Sequence, residues 1–346
     1  MKVCVVYPQS QYSAWSMSGG LVATLLRMGH DVTDIPIVPN DKPNPMQLAA
    51  FKQRIPNIEE LKSLDAIIVS GPEHVCPWLD IGYTKYAWKN LGVPKAAWYH
   101  ESFFRDDAMI DFNAVKWTAD EHFFPAIQDA EMHDQEAFAE GHAHWLPFGV
   151  DTDVFCPRGS MHGQSGTWNL SKDFDVAFIG LLYDKRKGYL HALSRHKIPP
   201  IRCGSVQVID MDGFQFEESA RRLASNYRRI RLFFNLPAMS RLLVTKVTEV
   251  MACGTFLVTP GLNTEDGSAR NMDPFKSGEH LVYYRPSHPG GTAQLLNDYL
   301  GAPESREKIA AAGCAEVRAK HTLDIRLNEI LAKLGVTNDV PSLSKS

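Results

Sequence analysis

Residues 246–259 read Lys246-Val247-Thr248-Glu249-Val250-Met251-Ala252-Cys253-Gly254-Thr255-Phe256-Leu257-Val258-Thr259. The first part continues a helical pattern from Leu242 to Ala252. The last part, Thr255 to Thr259, is a short apolar run of strand length, and Gly254 lets the chain turn tightly between them. A helix that feeds directly into a buried strand is half of a β-α-β unit, so the stretch predicts a parallel sheet flanked by helices.

The pattern extends outward on both sides. Upstream lie strands at Phe174 to Ile179 and Arg231 to Phe234, with a helix over about Lys185 to Ser194. Downstream lie a strand at Leu281 to Tyr284 and helices over Thr292 to Leu300, Glu304 to Lys320 and Leu323 to Leu334. The first half repeats the logic. Val3 to Tyr7, Asp31 to Pro36, Ala66 to Val69 and Lys95 to Tyr99 read as strands, and Ala114 to Thr118 and His144 to Leu146 continue the series. Helices are expected over Leu21 to Met28, over Ile58 to Leu64 and around Trp88. A turn-rich connector, Pro147 to Asp151 and Pro157 to Ser160, separates the halves. The chain has 346 residues, which suits two α/β domains better than one core.

Composition narrows the function classes. Hydrophobic residues make up 44%, charged residues 22%, and the formal net charge is −4. That is the balance of a soluble globular protein and lacks the basic excess of most nucleic-acid binders. The densest basic stretch, Arg221, Arg222, Arg228, Arg229 and Arg231, reads as a solvated helix face, with docking of a polyanionic acceptor as the alternative. The six cysteines form no C-x-x-C pair and read as buried free thiols, which fits a reducing cytoplasm. No signal-peptide layout opens the chain, and no apolar run reaches the ~18–20 residues of a membrane span. A cytoplasmic location is therefore expected. Pro341, Ser342, Ser344 and Ser346 make a polar tail.

Leu146-Pro147-Phe148-Gly149-Val150-Asp151, followed by Phe155 and Pro157, resembles the hinge signature of retaining, nucleotide-sugar-dependent GT-B glycosyltransferases. Residues 246–259 resemble their nucleotide-binding motif. Phe275, Gly278-Glu279-His280, Ile309-Ala310, Gly313, His321-Thr322 and Arg326 follow in the family's order, and the spore-maturation-protein-like branch is the most similar. The resemblance covers about Trp145 to Leu331. It implies two Rossmann-like domains facing across a cleft: residues 1–155 on the acceptor side, 156–320 for the nucleotide sugar, and 321–346 as a final helix returning to the first domain with a flexible tail. The implied reaction moves a sugar from a nucleoside diphosphate, most often UDP, to a hydroxyl acceptor with retained configuration. That acceptor is a glycan, a protein, a small molecule or a modified DNA base. No tightly bound cofactor is implied. A sugar-nucleotide epimerase and a structural protein that kept the fold are the alternatives.

The resemblance makes Glu249 the ribose-binding acid, since a carboxylate can accept both hydroxyls of a cis-diol; the alternative is a solvent-facing helical Glu. Wider relatives often carry a second glutamate near position 241, where this chain has Arg241. A cation there could neutralise a diphosphate. Arg186, beside Lys185 and Lys187 after the strand ending at Gly180, is the first candidate to clamp phosphate, and Lys246 and Arg241 come next. Gly19 and Gly20, at a strand–loop–helix junction, permit close backbone approach to an anion, or are simple turn chemistry. His100 follows a strand at the end where open sheets place ligands, so it could bond a sugar hydroxyl, with Glu101 or Asp106 taking the acceptor's proton. Trp15 could stack on a sugar. His142 and His144 form H-x-H, with His133 upstream, but no D-x-D pattern accompanies them and no metal is expected.

Overall fold

The motif at residues 246–259 folds as a helix capped by a left-handed glycine. In the computed structural model the helix ends at Ala252 and Gly254 takes φ 70°. The Gly254 N–H donates to the Met251 carbonyl at 2.9 Å and the Thr255 N–H to the Val250 carbonyl at 3.2 Å. These two bonds form a Schellman motif, satisfying carbonyls that the helix leaves open. The structure describes residues 1–9, 14–37, 49, 51–53, 55–100, 112–125, 142–157, 172–204, 213–236, 243–261 and 274–336.

The chain divides into two units. The first takes residues up to Pro147, apart from Phe104–Asp107, together with Asp324–Ser346; the second is chiefly Phe148–Leu323. In the first unit a six-stranded parallel sheet contains β1 (Lys2–Pro8), β2 (Asp31–Ile37), β3 (Ala66–Ser70), β4 (Lys95–Trp98), β5 (Glu121–Phe124) and β6 (Ala143–Trp145). Their order is β2-β1-β3-β4-β5-β6. Helices α1 (Gly19–Arg27), α2 (Ile58–Lys62), α3 (Pro72–Tyr83), α4 (Lys85–Lys89) and α5 (Phe112–Val115) connect them. β1 and β3 are buried along almost their whole length, as strands covered on both faces must be.

The second unit carries β7 (Phe174–Ile179), α6 (Asp184–Leu193), β8 (Ile201–Gly204), α7 (Gly213–Arg228), β9 (Ile230–Phe234), α8 (Thr245–Ala252), β10 (Phe256–Pro260), β11 (Val282–Tyr284), α9 (Pro289–Gly301) and α10 (Pro303–Lys320). Its five parallel strands run β11-β10-β9-β7-β8. Helix α11 (Leu323–Lys333), counted from Asp324 with the first unit, buries Leu327, Ile330 and Leu331. Among the described residues no helix is long and apolar enough to cross a membrane.

Two expectations change. Ala114 to Thr118 is α5 running into a 3₁₀ turn at Lys116–Thr118, and the strand comes after it, as β5. Its apolar residues Val115, ending the helix, and Trp117, in the turn, are both buried in the core, so apolarity alone does not mark a strand here. Cys203, on edge strand β8, is exposed while the other five cysteines are buried.

Candidate functional site

Both sheets reverse direction beside their first strand. In the second unit β7 leads to β8 on one side and β9 on the other, so the switch point lies between β7 and β9. Open α/β sheets bind ligands at such points, beyond the strands' carboxyl ends. Here the structure collects Gly180, Arg186 and Lys246. Gly180 follows β7 with φ +151°, a conformation that favours glycine. A Cβ there would lie 2.7 Å from Lys246 Nζ and 2.9 Å from Phe178 Cζ. The missing side chain admits the ammonium, which donates to the Ile179 carbonyl at 3.0 Å.

The Phe178 ring receives two cations, Lys246 Nζ at 4.7 Å and the Arg186 guanidinium at 4.9 Å from its centroid. Arg186 also sits 4.3 Å from the Tyr183 ring and donates to the Leu181 carbonyl at 2.6 Å. Cation–π contacts and backbone carbonyls hold both groups at this end of the sheet. Burial, and next the nearby Arg186, pulls the Lys246 ammonium down to about 7, while Glu249 opposes that shift. Lys185 and Lys187 are exposed, and Lys187 pairs with Asp184 at 3.3 Å. Of the three consecutive cations, Arg186 alone is buried.

Glu249 is 2% exposed, in the middle of α8, not on a solvent face. The buried Tyr227 hydroxyl, from the end of α7, hydrogen-bonds its carboxylate, and burial together with Glu249 pushes that phenol's pKa well up. Tyr227 escaped the sequence reading. A lone tyrosine 22 residues upstream has no local signal, because only the fold of α7 against α8 brings it there.

In the first unit the switch point lies between β1 and β3. Ser70, the last residue of β3, donates through Oγ to the Met17 carbonyl at 2.7 Å, bridging from β3 to the turn after β1. Its oxygen lies 2.6 Å from His100 Nε2. Gly71, with φ +62°, precedes α3, and a Cβ there would lie 2.7 Å from His100 Nδ1. The His100 N–H donates to Glu73 Oε1 at 2.7 Å, and the His74 ring centroid stands 6.2 Å from that of His100. Burial, with His74 second, holds His100 well below the usual imidazole range. Of this group the sequence singles out only His100. Ser70, Gly71, Glu73 and His74 sit at a β-α junction that carries no apolar signature of its own.

The other expected residues divide. Gly19 and Gly20 open α1, but a Cβ on either would lie within 2.7 Å of Trp15: 2.6 Å from the ring for Gly19 and 2.7 Å from its carbonyl for Gly20. The structure uses the pair to pack Trp15, which is only 6% exposed and so does not present its ring for stacking on a sugar. Glu101, Asp106, Arg241 and His133 lie outside the described residues. His142 Nδ1 and His144 Nε2 meet opposite oxygens of Glu121 at 2.8 and 2.7 Å. In the basic stretch Arg221 and Arg222 pair with Glu217 and Glu218, Arg229 and Arg231 with Asp173 and Asp175, and Arg228 donates to the Cys156 carbonyl. That patch is internally compensated, which removes the charge excess a polyanion needs.

Comparison with known proteins agrees with the fold. Residues 187–332 match the family model described as "Glycosyl transferase-like". No curated protein matches the sequence. Similar solved structures include HepE of Anabaena in complex with UDP and glucose, at 14% identity, covering 97% of this chain and 100% of that one, TM-score 0.62. Sucrose-phosphate synthase of Thermosynechococcus elongatus is 14% identical over 97% and 99% of the two chains, TM-score 0.62. An alpha-glucosyltransferase in complex with UDP-glucose and DNA containing an abasic site is 10% identical over 97% and 99%, TM-score 0.61. The chain has the GT-B fold, and its similarity to the glycosyl transferase-like family model is confined to residues 187–332.

Proposed function

We propose that this protein transfers a sugar from a nucleoside diphosphate sugar, with UDP as the carrier, to a hydroxyl-bearing acceptor. The observation that carries the reading is the convergence of Arg186 and Lys246 on Phe178 at the β7/β9 switch point, beside the stretch 187–332 that matches the glycosyl transferase-like family model. The bond broken joins the anomeric carbon to the diphosphate, so negative charge builds on the leaving oxygens. Preorganised cations there stabilise the transition state more than the ground state. Side chains take that role at the diphosphate in this reading, and Arg241 joins them.

Glu249 takes the ribose hydroxyls, with Tyr227 fixing its carboxylate. His100 bonds a hydroxyl of the transferred sugar, and Glu101 or Asp106 accepts the acceptor's proton. Gly19 and Gly20 keep backbone near the donor phosphates while seating Trp15. Retention of configuration follows from the resemblance of the hinge and nucleotide motifs. The bound UDP sugars of HepE and the alpha-glucosyltransferase support the choice of donor.

A thermal-shift series tests the reading. UDP and UDP-glucose should raise the melting temperature, and NAD should not. The Arg186→Ala and Lys246→Met proteins should each lose most of the UDP response while melting cooperatively. An unchanged UDP response in both variants would remove the phosphate assignment.

A further inference from the structure

The cluster beside Ser70 has a composition that sugar binding does not require. Glu73, His74 and His100 bring one carboxylate oxygen and two imidazole nitrogens within 4.8 Å of one another, the one such group among the described residues. We propose that these three side chains bind a divalent transition-metal ion of the zinc class. The inference goes beyond sugar transfer and does not rest on it, because the test needs no activity; with Ser70 on Nε2 and the ion on Nδ1, metal binding and a direct bond to a sugar hydroxyl are alternative roles for the His100 ring.

The hydrogen bonds settle which atom of His100 is available. A serine hydroxyl has one proton, and the Met17 carbonyl can only accept, so at 2.7 Å Ser70 donates to Met17. Ser70 Oγ, 2.6 Å from His100 Nε2, must then accept. His100 carries its proton on Nε2 and presents a lone pair at Nδ1. Metal-binding histidines are oriented in this way, the distal N–H held by a hydroxyl or carbonyl and the other nitrogen left for the ion. Glu73 is anchored by the same logic, because its Oε1 accepts the His100 backbone N–H at 2.7 Å.

Gly71 makes the space. Its left-handed backbone and missing side chain let the Nδ1 edge of the ring approach where a Cβ would stand 2.7 Å away. His74 is exposed and free to rotate the short distance that separates a 4.8 Å spread from ligand spacing around one ion. Two imidazoles with a carboxylate favour zinc, cobalt or nickel over magnesium or calcium, which prefer all-oxygen sets. Three protein ligands leave a coordination position for water, as in zinc sites that do chemistry.

Untagged full-length protein, stripped with EDTA and dialysed, is titrated with Zn2+ by calorimetry and with Co2+ by visible absorption. One equivalent should bind, with Zn2+ displacing the Co2+ spectrum. The His74→Ala protein should bind about 10-fold or more weakly with parental melting, and Glu73→Gln should follow it. A His142→Ala/His144→Ala double variant should bind as the parent does. Absence of binding, parental affinity in His74→Ala, or loss of the site in the His142/His144 variant would each overturn the proposal. So would a preference for Mg2+.

Discussion

The Lys246 ammonium lies 3.0 Å from the Ile179 carbonyl, in the space that Gly180 leaves by having no side chain. Desolvation and the neighbouring Arg186 pull it down to about 7, far below an ordinary lysine at 10.5. A phosphate arriving there favours the charged form. UDP binding at pH 8 should therefore take up a proton, and affinity should fall up to about tenfold per pH unit above 7. Calorimetry in buffers of different ionisation heat reads the uptake directly. The Lys246→Met protein should show neither uptake nor slope at that pH. The same depression acts on folding. The unfolded chain binds the extra proton between about 7 and 10.5, so removing it favours the native state and this lysine's contribution rises with pH across that window.

Gly180→Ala adds one methyl where two atoms already stand within 3 Å, at a φ that an L-residue rarely adopts. Lys246 can swing away, but the strained backbone cannot relax as cheaply. The variant should lose about 1–3 kcal/mol of stability in urea melts and respond less to UDP. A parental response to UDP would show that Lys246 works equally well displaced.

Glu249 and Tyr227 must be separated by chemistry, because removing the acid leaves a buried phenol without its acceptor. Glu249→Ala should cost about 1–3 kcal/mol for that reason alone, on top of any lost nucleotide contact. Tyr227→Phe removes only the hydroxyl. If Glu249 serves the ribose, Tyr227→Phe keeps a UDP response while Glu249→Gln weakens it at near-parental stability. Equal UDP binding in Glu249→Gln and the parent would leave the acid a purely structural role.

The sheets were legible because Val3 to Tyr7, Ala66 to Val69 and Phe256 to Val258 are apolar runs buried on both faces. Strands β5 and β8 were not. β5 carries His122, buried against the Tyr99 hydroxyl at 3.0 Å, a polar residue that hides the strand's pattern. β8 is an edge strand, exposed over Arg202, Cys203 and Gly204, so burial never selected an apolar run. Arg186 and His100 are singled out by their places after strands, and Lys246 by opening the motif at 246–259. Several partners were not legible: Tyr227 reaches Glu249, Ser70 and Glu73 reach His100, and Phe178 reaches Lys246 only because the parallel crossovers close those separations. Gly180 is the informative exception, since a glycine ending a buried strand signals close approach before the approaching group is known.

Gly71 has the same character in the first unit and yields the sharpest structural test. Its φ of +62° and the 2.7 Å approach to His100 Nδ1 are independent demands, one on the backbone and one on space. The His100 ring cannot retreat freely, because Ser70 holds its far nitrogen and Glu73 its backbone N–H. Gly71→Ala should therefore destabilise the protein by more than the roughly 1 kcal/mol that a left-handed alanine alone costs. Ser70→Ala in the same background should recover part of the loss by letting the ring tilt away. Urea melts of both single variants and the double variant measure that coupling. Strict additivity would mean that the ring is not held as the hydrogen bonds imply.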